Sequence, residues 1–224
     1  MNIKIGERSC GRGVFVTIDG PGGVGKSTAV AATTGYLRKI GAPVHSTAQP
    51  SSSALGRFVR AHANTYQGMA LACLVAGDRL HQQTVEIGPR LDAGRVVVCD
   101  RYLPSSLVLQ VRDGVSPETV WELNRTVRPP DVAVFLYDEP EAIHRRLTTR
   151  GAHNRFEADP GCVVRELAMF ATVADDLIRL GWPVHLIDCA GLELCEIGLM
   201  IANLVLPQLP DDILKPRQET ECRS

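Results

Sequence analysis

Val14-Phe15-Val16-Thr17-Ile18-Asp19 runs directly into Gly20-Pro21-Gly22-Gly23-Val24-Gly25-Lys26-Ser27-Thr28. The first six residues are apolar or β-branched up to a terminal carboxylate, the pattern of a buried strand. The next eight match G-x-x-x-x-G-K-S/T, and the Ala-rich run at 26–40 has the period of a helix. A strand, a glycine loop and a helix in that order direct backbone N–H groups and a helix N-terminus onto one point, where a polyphosphate binds. Glycine is required because a Cβ would keep the backbone from the phosphate oxygens. On this reading Gly20, Gly22, Gly23, Gly25, Lys26, Ser27 and Thr28 form a nucleoside triphosphate site. Lys26 reaches the terminal phosphates and Ser27 offers its hydroxyl to Mg²⁺.

Outward from this unit the same alternation repeats. Strands are expected at 14–19, 43–47, 95–100, 131–137 and 183–188. Helices are expected at 26–40, 54–62, 67–91, 104–111, 117–127, 141–149, 162–180 and 192–206. Several strands are almost continuously apolar, as in a parallel sheet covered on both faces. Gly41, Gly94 and Gly181 follow helical stretches as C-terminal caps do. The expected architecture is α/β, a P-loop NTPase-type five-stranded parallel sheet with helices on both faces. The organisation read from the chain is an extension at 1–12, one domain at 13–207 and a polar tail at 208–224.

Of 224 residues, 45% are hydrophobic, enough for one core and too many for a disordered chain. Lys plus Arg total 24 against 25 Asp plus Glu, so a polyanion such as nucleic acid is not an expected partner. Seven scattered cysteines without a C-x-x-C pair read as reduced thiols. The N-terminal segment lacks the apolar stretch of a secretory signal, and the apolar segment at 192–206 is broken by charge and short for a bilayer span. A cytoplasmic protein without a membrane partner is expected.

A phosphate loop alone does not name a reaction. Asp100, ending Val96-Val97-Val98-Cys99, stands where a strand-end carboxylate would share Mg²⁺ with Ser27. Arginines at separated places, Arg79, Arg101, Arg150 and Arg155, suit transfer between two anionic substrates. A guanine-specifying N-K-x-D is absent. The alternatives left open by the residues are a kinase for a non-nucleotide hydroxyl, with Asp19 as general base, and an inactive nucleotide-binding regulator.

Asp100-Arg101-Tyr102-x-x-Ser105-Ser106-x-x-x-Gln110 resembles the D-R-Y-x-x-S-x-x-A-Y-Q segment of thymidylate kinases. Thr47-Ala48-Gln49-Pro50 is similar to their T-R-E-P, and Ala76-Gly77-Asp78-Arg79 to their A-A-D-R. Pro130-Asp131-Val132, Glu139-Pro140-Glu141 with Arg145-Arg146, and Arg150-Gly151 with Arg155-Phe156-Glu157 resemble the family's later motifs in family order. The resemblance implies a nucleoside monophosphate kinase using ATP and Mg²⁺, a short lid at about 150–160, a homodimer, and a small-molecule nucleotide acceptor. It implies that Arg79 and Arg101 hold the acceptor phosphate and that Arg150 and Arg155 close on the donor, with Lys26, Arg101 and Arg155 catalytic. Asp19, Gln49, Pro50, Val75, Ser105, Ser106 and Gln110 complete the implied acceptor site.

The departures from the family pattern gather on the acceptor side. Gly22 stands for an Asp, Val75 for a stacking Phe, Leu109 and Leu177 for Tyr, and Ala48 for the Arg of T-R-E-P. The expected acceptor is therefore dTMP or a related, modified pyrimidine monophosphate. Two further side chains are read with alternatives. Asp78 either orients an arginine or is solvated, and His81 either approaches the acceptor, two residues after Arg79, or serves at the surface or in helix packing.

Overall fold

The computed structural model describes residues 13–151 and 161–209. Five parallel strands, β1 (Phe15–Asp19), β2 (Val44–Ala48), β3 (Val96–Asp100), β4 (Val132–Tyr137) and β5 (Val184–Asp188), stand in the order β2-β3-β1-β4-β5. Each lies within one residue of its expected ends. Alternate residues of β3 enter different cores: Val96 and Val98 pack with Val16, Ile18 and Val134 on one face. Val97 and Cys99 pack with Phe15, Ala133 and Phe135 on the other. With both faces buried, the period of two is satisfied by apolar residues throughout, which is why the runs look continuous.

The first core is roofed by α1 (Lys26–Lys39) and α9 (Leu194–Val205), the pair with the most extensive helix contact. Gly198 makes their approach possible, since a Cβ there would lie 2.5 Å from the Cβ of Ala32. The second core is roofed by α3 (Gly68–Gln82), α5 (Leu103–Arg112) and α8 (Cys162–Arg179). The remaining helices are α2 (Ala54–His62), α4 (Gly88–Asp92), α6 (Pro117–Leu123) and α7 (Pro140–Arg150).

Two helices differ from expectation. The run expected at 67–91 is a helix of two registers, α3 and α4 joined by a π turn at Gln83–Ile87. The helix expected at 117–127 ends at Leu123, because Asn124 turns inward and donates Nδ2 to the carbonyl of Val120 at 2.7 Å. Among the described residues Cys73, Cys99, Cys162, Cys189 and Cys195 are free thiols, and no helix is long and apolar enough to cross a membrane.

The register positions the chemistry. Ile18 pairs with Asp100, and Asp100 pairs with Ala48, so the carboxyl ends of β1, β3 and β2 stand side by side. These ends carry the glycine loop, Asp100-Arg101-Tyr102 and Gln49-Pro50. In parallel α/β sheets that edge is where ligands bind.

Candidate active site

A cavity of about 1150 Å³ opens at this edge, lined on one side by Gly23, Gly25, Lys26, Ser27 and Thr28. The loop is tightly wound at Gly20, where a Cβ would meet the carbonyl oxygen of Leu136 at 2.4 Å. Lys26 is buried, and its Nζ donates to the carbonyls of Gly20 at 3.0 Å and Pro21 at 2.6 Å. Burial, with the charge of Arg101 next in weight, lowers its pKa to about 7. An ammonium so poorly solvated gains from anionic oxygens. Across the ladder, Ser27 donates Oγ–H to Asp100 Oδ2 at 2.5 Å, which brings two oxygen ligands of the kind magnesium prefers to one point.

The turn after β3 is held from β1. Arg101 has a left-handed backbone with φ 68°, and its N–H donates to the carbonyl of Ile18 at 2.9 Å. The side chain of Asp19, fully buried, accepts the N–H of Tyr102 at 3.1 Å, the N–H of Ser105 at 3.0 Å and the hydroxyl of Ser105 at 2.7 Å, all on Oδ1. Tyr102 is the cap of α5 and offers no side-chain cap of its own. A carboxylate from a neighbouring strand thus performs the capping that helix N-termini need. Burial raises the pKa of Asp19 even against these bonds and the charges of Arg101 and Lys26, and its Oδ2 has no partner.

The opposite wall of the cavity contains Gln49, Pro50, Val75, Arg79, Arg101 and Ser105, continued by Ser106, Leu109 and Gln110. Arg79, 2% exposed, donates Nε–H to Gln49 at 2.8 Å and Nη1–H to Asn124 at 2.5 Å. Its Nη2 reaches Ser106 at 2.6 Å and the carbonyl of Tyr102 at 3.3 Å. All four partners are uncharged, and burial lowers the pKa of Arg79. Arg101 donates to Ser105 at 3.2 Å. The amide oxygen of Gln110 is buried without a partner.

Lys26 and the arginines at 79 and 101 therefore share one cavity. Three expected site residues stand apart from it. Asp19 is fully buried and does not line the cavity; its Oδ1 organises the turn. Gly20 and Gly22 do not line the cavity either. The N–H of Gly22 is taken by Glu166 Oε2 of α8 at 2.9 Å, and Glu166 also pairs with Arg112. Arg155 lies outside the described residues, as does Glu157, and Arg150 is described only as the last residue of α7.

Asp78 follows neither expected alternative. It is 1% exposed and accepts from Ser51 N at 2.6 Å and from the hydroxyls of Ser51 at 2.5 Å and Ser53 at 3.1 Å, fastening the loop after β2 to α3. His81 is exposed, as expected of a surface residue. Residues that sequence reasoning missed are Glu166, Asn124 and the cavity arginine Arg60, while Arg145 and Arg146, read only as part of a family motif, also line the cavity.

A sequence model of the family described as thymidylate kinase matches residues 18–178. The chain belongs to the thymidylate kinase family. Among its relatives, the probable thymidylate kinase of Caldivirga maquilingensis is 36% identical over 148 residues, covering 64% of this chain and 72% of that one. The thymidylate kinase of Bacillus cytotoxicus is 31% identical over 180 residues, covering 76% and 82%. The solved structure of thymidylate kinase from Candida albicans matches with a TM-score of 0.70 over 91% of this chain and 94% of that one, at 18% identity, a likeness of fold. The family and fold expected from the D-R-Y segment and the glycine loop are thus the ones found.

Proposed function

We propose that the chain is an ATP-dependent nucleoside monophosphate kinase that converts dTMP, or a related or modified pyrimidine monophosphate, to the diphosphate. The observation carrying this reading is the single cavity shared by Lys26, on the loop after β1, and Arg101, on the turn after β3. Donor and acceptor are both anionic, and this arrangement surrounds their junction with cations.

In the reaction an oxygen of the acceptor phosphate attacks the terminal phosphorus of ATP. The new O–P bond forms as the bond to the bridging oxygen breaks, and ADP leaves with the electron pair. The attacking oxygen is already an anion, so orientation and charge stabilisation suffice without a base. Lys26 holds the donor's terminal oxygens, and the N–H groups from Gly23 to Thr28 cradle the preceding phosphate. Arg101 takes the acceptor phosphate. Arg79 has four protein contacts, so it serves as a fixed wall of the acceptor site beside Val75, Ser106 and Gln110 rather than as a phosphate clamp. Ser27 and Asp100 would hold Mg²⁺, which would supply neutralisation of the donor charge. On the family resemblance, Arg150 and Arg155 are assigned to the donor phosphates.

The hydroxyl-kinase alternative needed Asp19 as a base, and a buried carboxylate that accepts three bonds and does not line the cavity does not supply one. A homodimer in the cytoplasm belongs to this reading on the family resemblance. The test is ADP formation with ATP and Mg²⁺ across a panel of pyrimidine and purine monophosphates. Stimulation by dTMP or a modified pyrimidine monophosphate is expected. ATP turnover indifferent to every monophosphate would overturn the reading.

A further inference from the structure

Arg79 is the end of a directed series of hydrogen bonds. Its Nε–H donates to Gln49 Oε1 at 2.8 Å, Gln49 Nε2 donates to Gln82 Oε1 at 3.0 Å, and Gln82 Nε2 donates to Glu86 Oε2 at 3.1 Å. The other carboxylate oxygen of Glu86 meets His45 Nε2 at 2.7 Å. Arg79, Gln49 and Gln82 are 2%, 6% and 1% exposed, so water does not compete for the inner links.

The sense of this series is settled by its ends. A guanidinium only donates and a carboxylate only accepts. Two amides between them have one orientation that leaves no donor facing a donor. Gln82 Nε2 also meets Thr47 Oγ1 at 2.8 Å and the carbonyl of Ala48 at 3.2 Å, and that carbonyl enforces the same orientation. Glu86 stands in the π turn after α3, outside the cavity lining.

We propose that Glu86 is a positioning residue for the acceptor site, acting as the remote counter-ion of Arg79 through the aligned amides of Gln82 and Gln49. The assignment rests on the acceptor role of Arg79 proposed above. Aligned amide dipoles polarise one another, so the negative end is felt at the buried cation without a carboxylate entering the cavity. An adjacent carboxylate would repel an anionic acceptor, whereas one three links away steadies the guanidinium and keeps the wall itself free of negative charge. Burial would raise the pKa of Glu86, but hydrogen bonds from His45, Gln82 and Thr47 outweigh it and hold the carboxyl below its ordinary value, so the accepting end stays ionised.

Glu86→Gln keeps the shape of the end and removes its charge, so the series, with Gln82 still oriented by the carbonyl of Ala48, no longer ends on an anion. In the intact protein, E86Q is expected to raise KM for dTMP, or for the monophosphate that the panel selects, about fivefold or more, with KM for ATP within about twofold. Gln49→Leu cuts the series next to Arg79. Adding E86Q to Q49L is expected to change KM for the acceptor no further, whereas a merely structural Glu86 would lower the melting temperature and leave both constants alone. Gln82→Met reads the same link should E86Q fail to fold.

The proposal is overturned if E86Q leaves KM for the acceptor unchanged, if KM for ATP rises equally, if the two effects multiply in Q49L/E86Q, or if neither E86Q nor Q82M folds. A wild-type protein without monophosphate-dependent transfer defeats the activity itself. That outcome is separate from an active wild type whose KM ignores Glu86.

Discussion

Replacing Asp19 by alanine removes the acceptor shared by the N–H groups of Tyr102 and Ser105 and by the Ser105 hydroxyl. The hydroxyl can rotate to another partner. The two N–H groups are buried at the first turn of α5, and each orphaned donor costs about 1–3 kcal/mol, less the relief of a buried carboxylate. A net loss of about 2–4 kcal/mol lowers the melting temperature of a protein of this size by about 4–16 °C. Arg101, held at φ 68° in the same turn, loses its setting, and turnover should fall about tenfold or more. Asp19→Asn keeps Oδ1 and removes the charge, so it should melt within about 4 °C of wild type at pH 7.

The pH dependence has a definite sign. Burial raises the folded pKa of Asp19 above the ordinary 3.8, so its contribution to stability is fully present below about pH 4 and is lost as pH rises through the folded value. Asparagine does not titrate. The melting temperature of D19N relative to wild type should therefore move in favour of D19N as pH rises from 4, then level off. Thermal melts from pH 4 to 8 with parallel acceptor-dependent kinetics read both effects. An alanine variant that melts within 2 °C of wild type, by the rule of about 2–4 °C per kcal/mol, and turns over normally would refute the capping argument.

Lys26→Ala should cut turnover more than about tenfold while circular dichroism shows an intact fold, because the ammonium acts on the transferring group. Normal turnover would remove Lys26 from the chemistry. Gly198→Ala sets a Cβ 2.5 Å from that of Ala32 in α1, which costs about 1–3 kcal/mol of overpacking against about 1 kcal/mol of helix propensity gained. A fall of several degrees in melting temperature is expected, and an unchanged or higher one would show that α9 shifts without cost.

The central strands β1, β3 and β4 were legible because each is buried on both faces, so local composition and tertiary demand agree, and the partly exposed edge strands β2 and β5 followed from the alternation with helices. The glycine loop was legible for a related reason: its function depends on consecutive backbone groups, which a linear pattern records. Asp19, Asp78 and Glu166 were not. Each is a carboxylate whose meaning comes from a partner far along the chain, Ser105 for the first, Ser51 for the second and Gly22 for the third, separated by 86, 27 and 144 positions. Asn124 was read as one more helical residue, yet its inward turn ends α6 and supplies a partner to Arg79. The π turn at Gln83–Ile87 also left no mark in the apolar period, since the run on either side continues as helix.

The pairing of Ile18 with Asp100 sets two posts in one beam. Neighbouring strands are held about 4.8 Å apart by a ladder that does not stretch, so the gap between the loop after β1 and the turn after β3 is a constant of the sheet. Whatever advances on a bound substrate has to be mounted off that beam, and Arg60 on α2 and Arg145 and Arg146 on α7 are among the cavity cations so mounted. Damage inside β1 or β3 is then an error of spacing that no substrate concentration repairs, while damage to α2 or α7 is an error of grip, which more substrate overcomes.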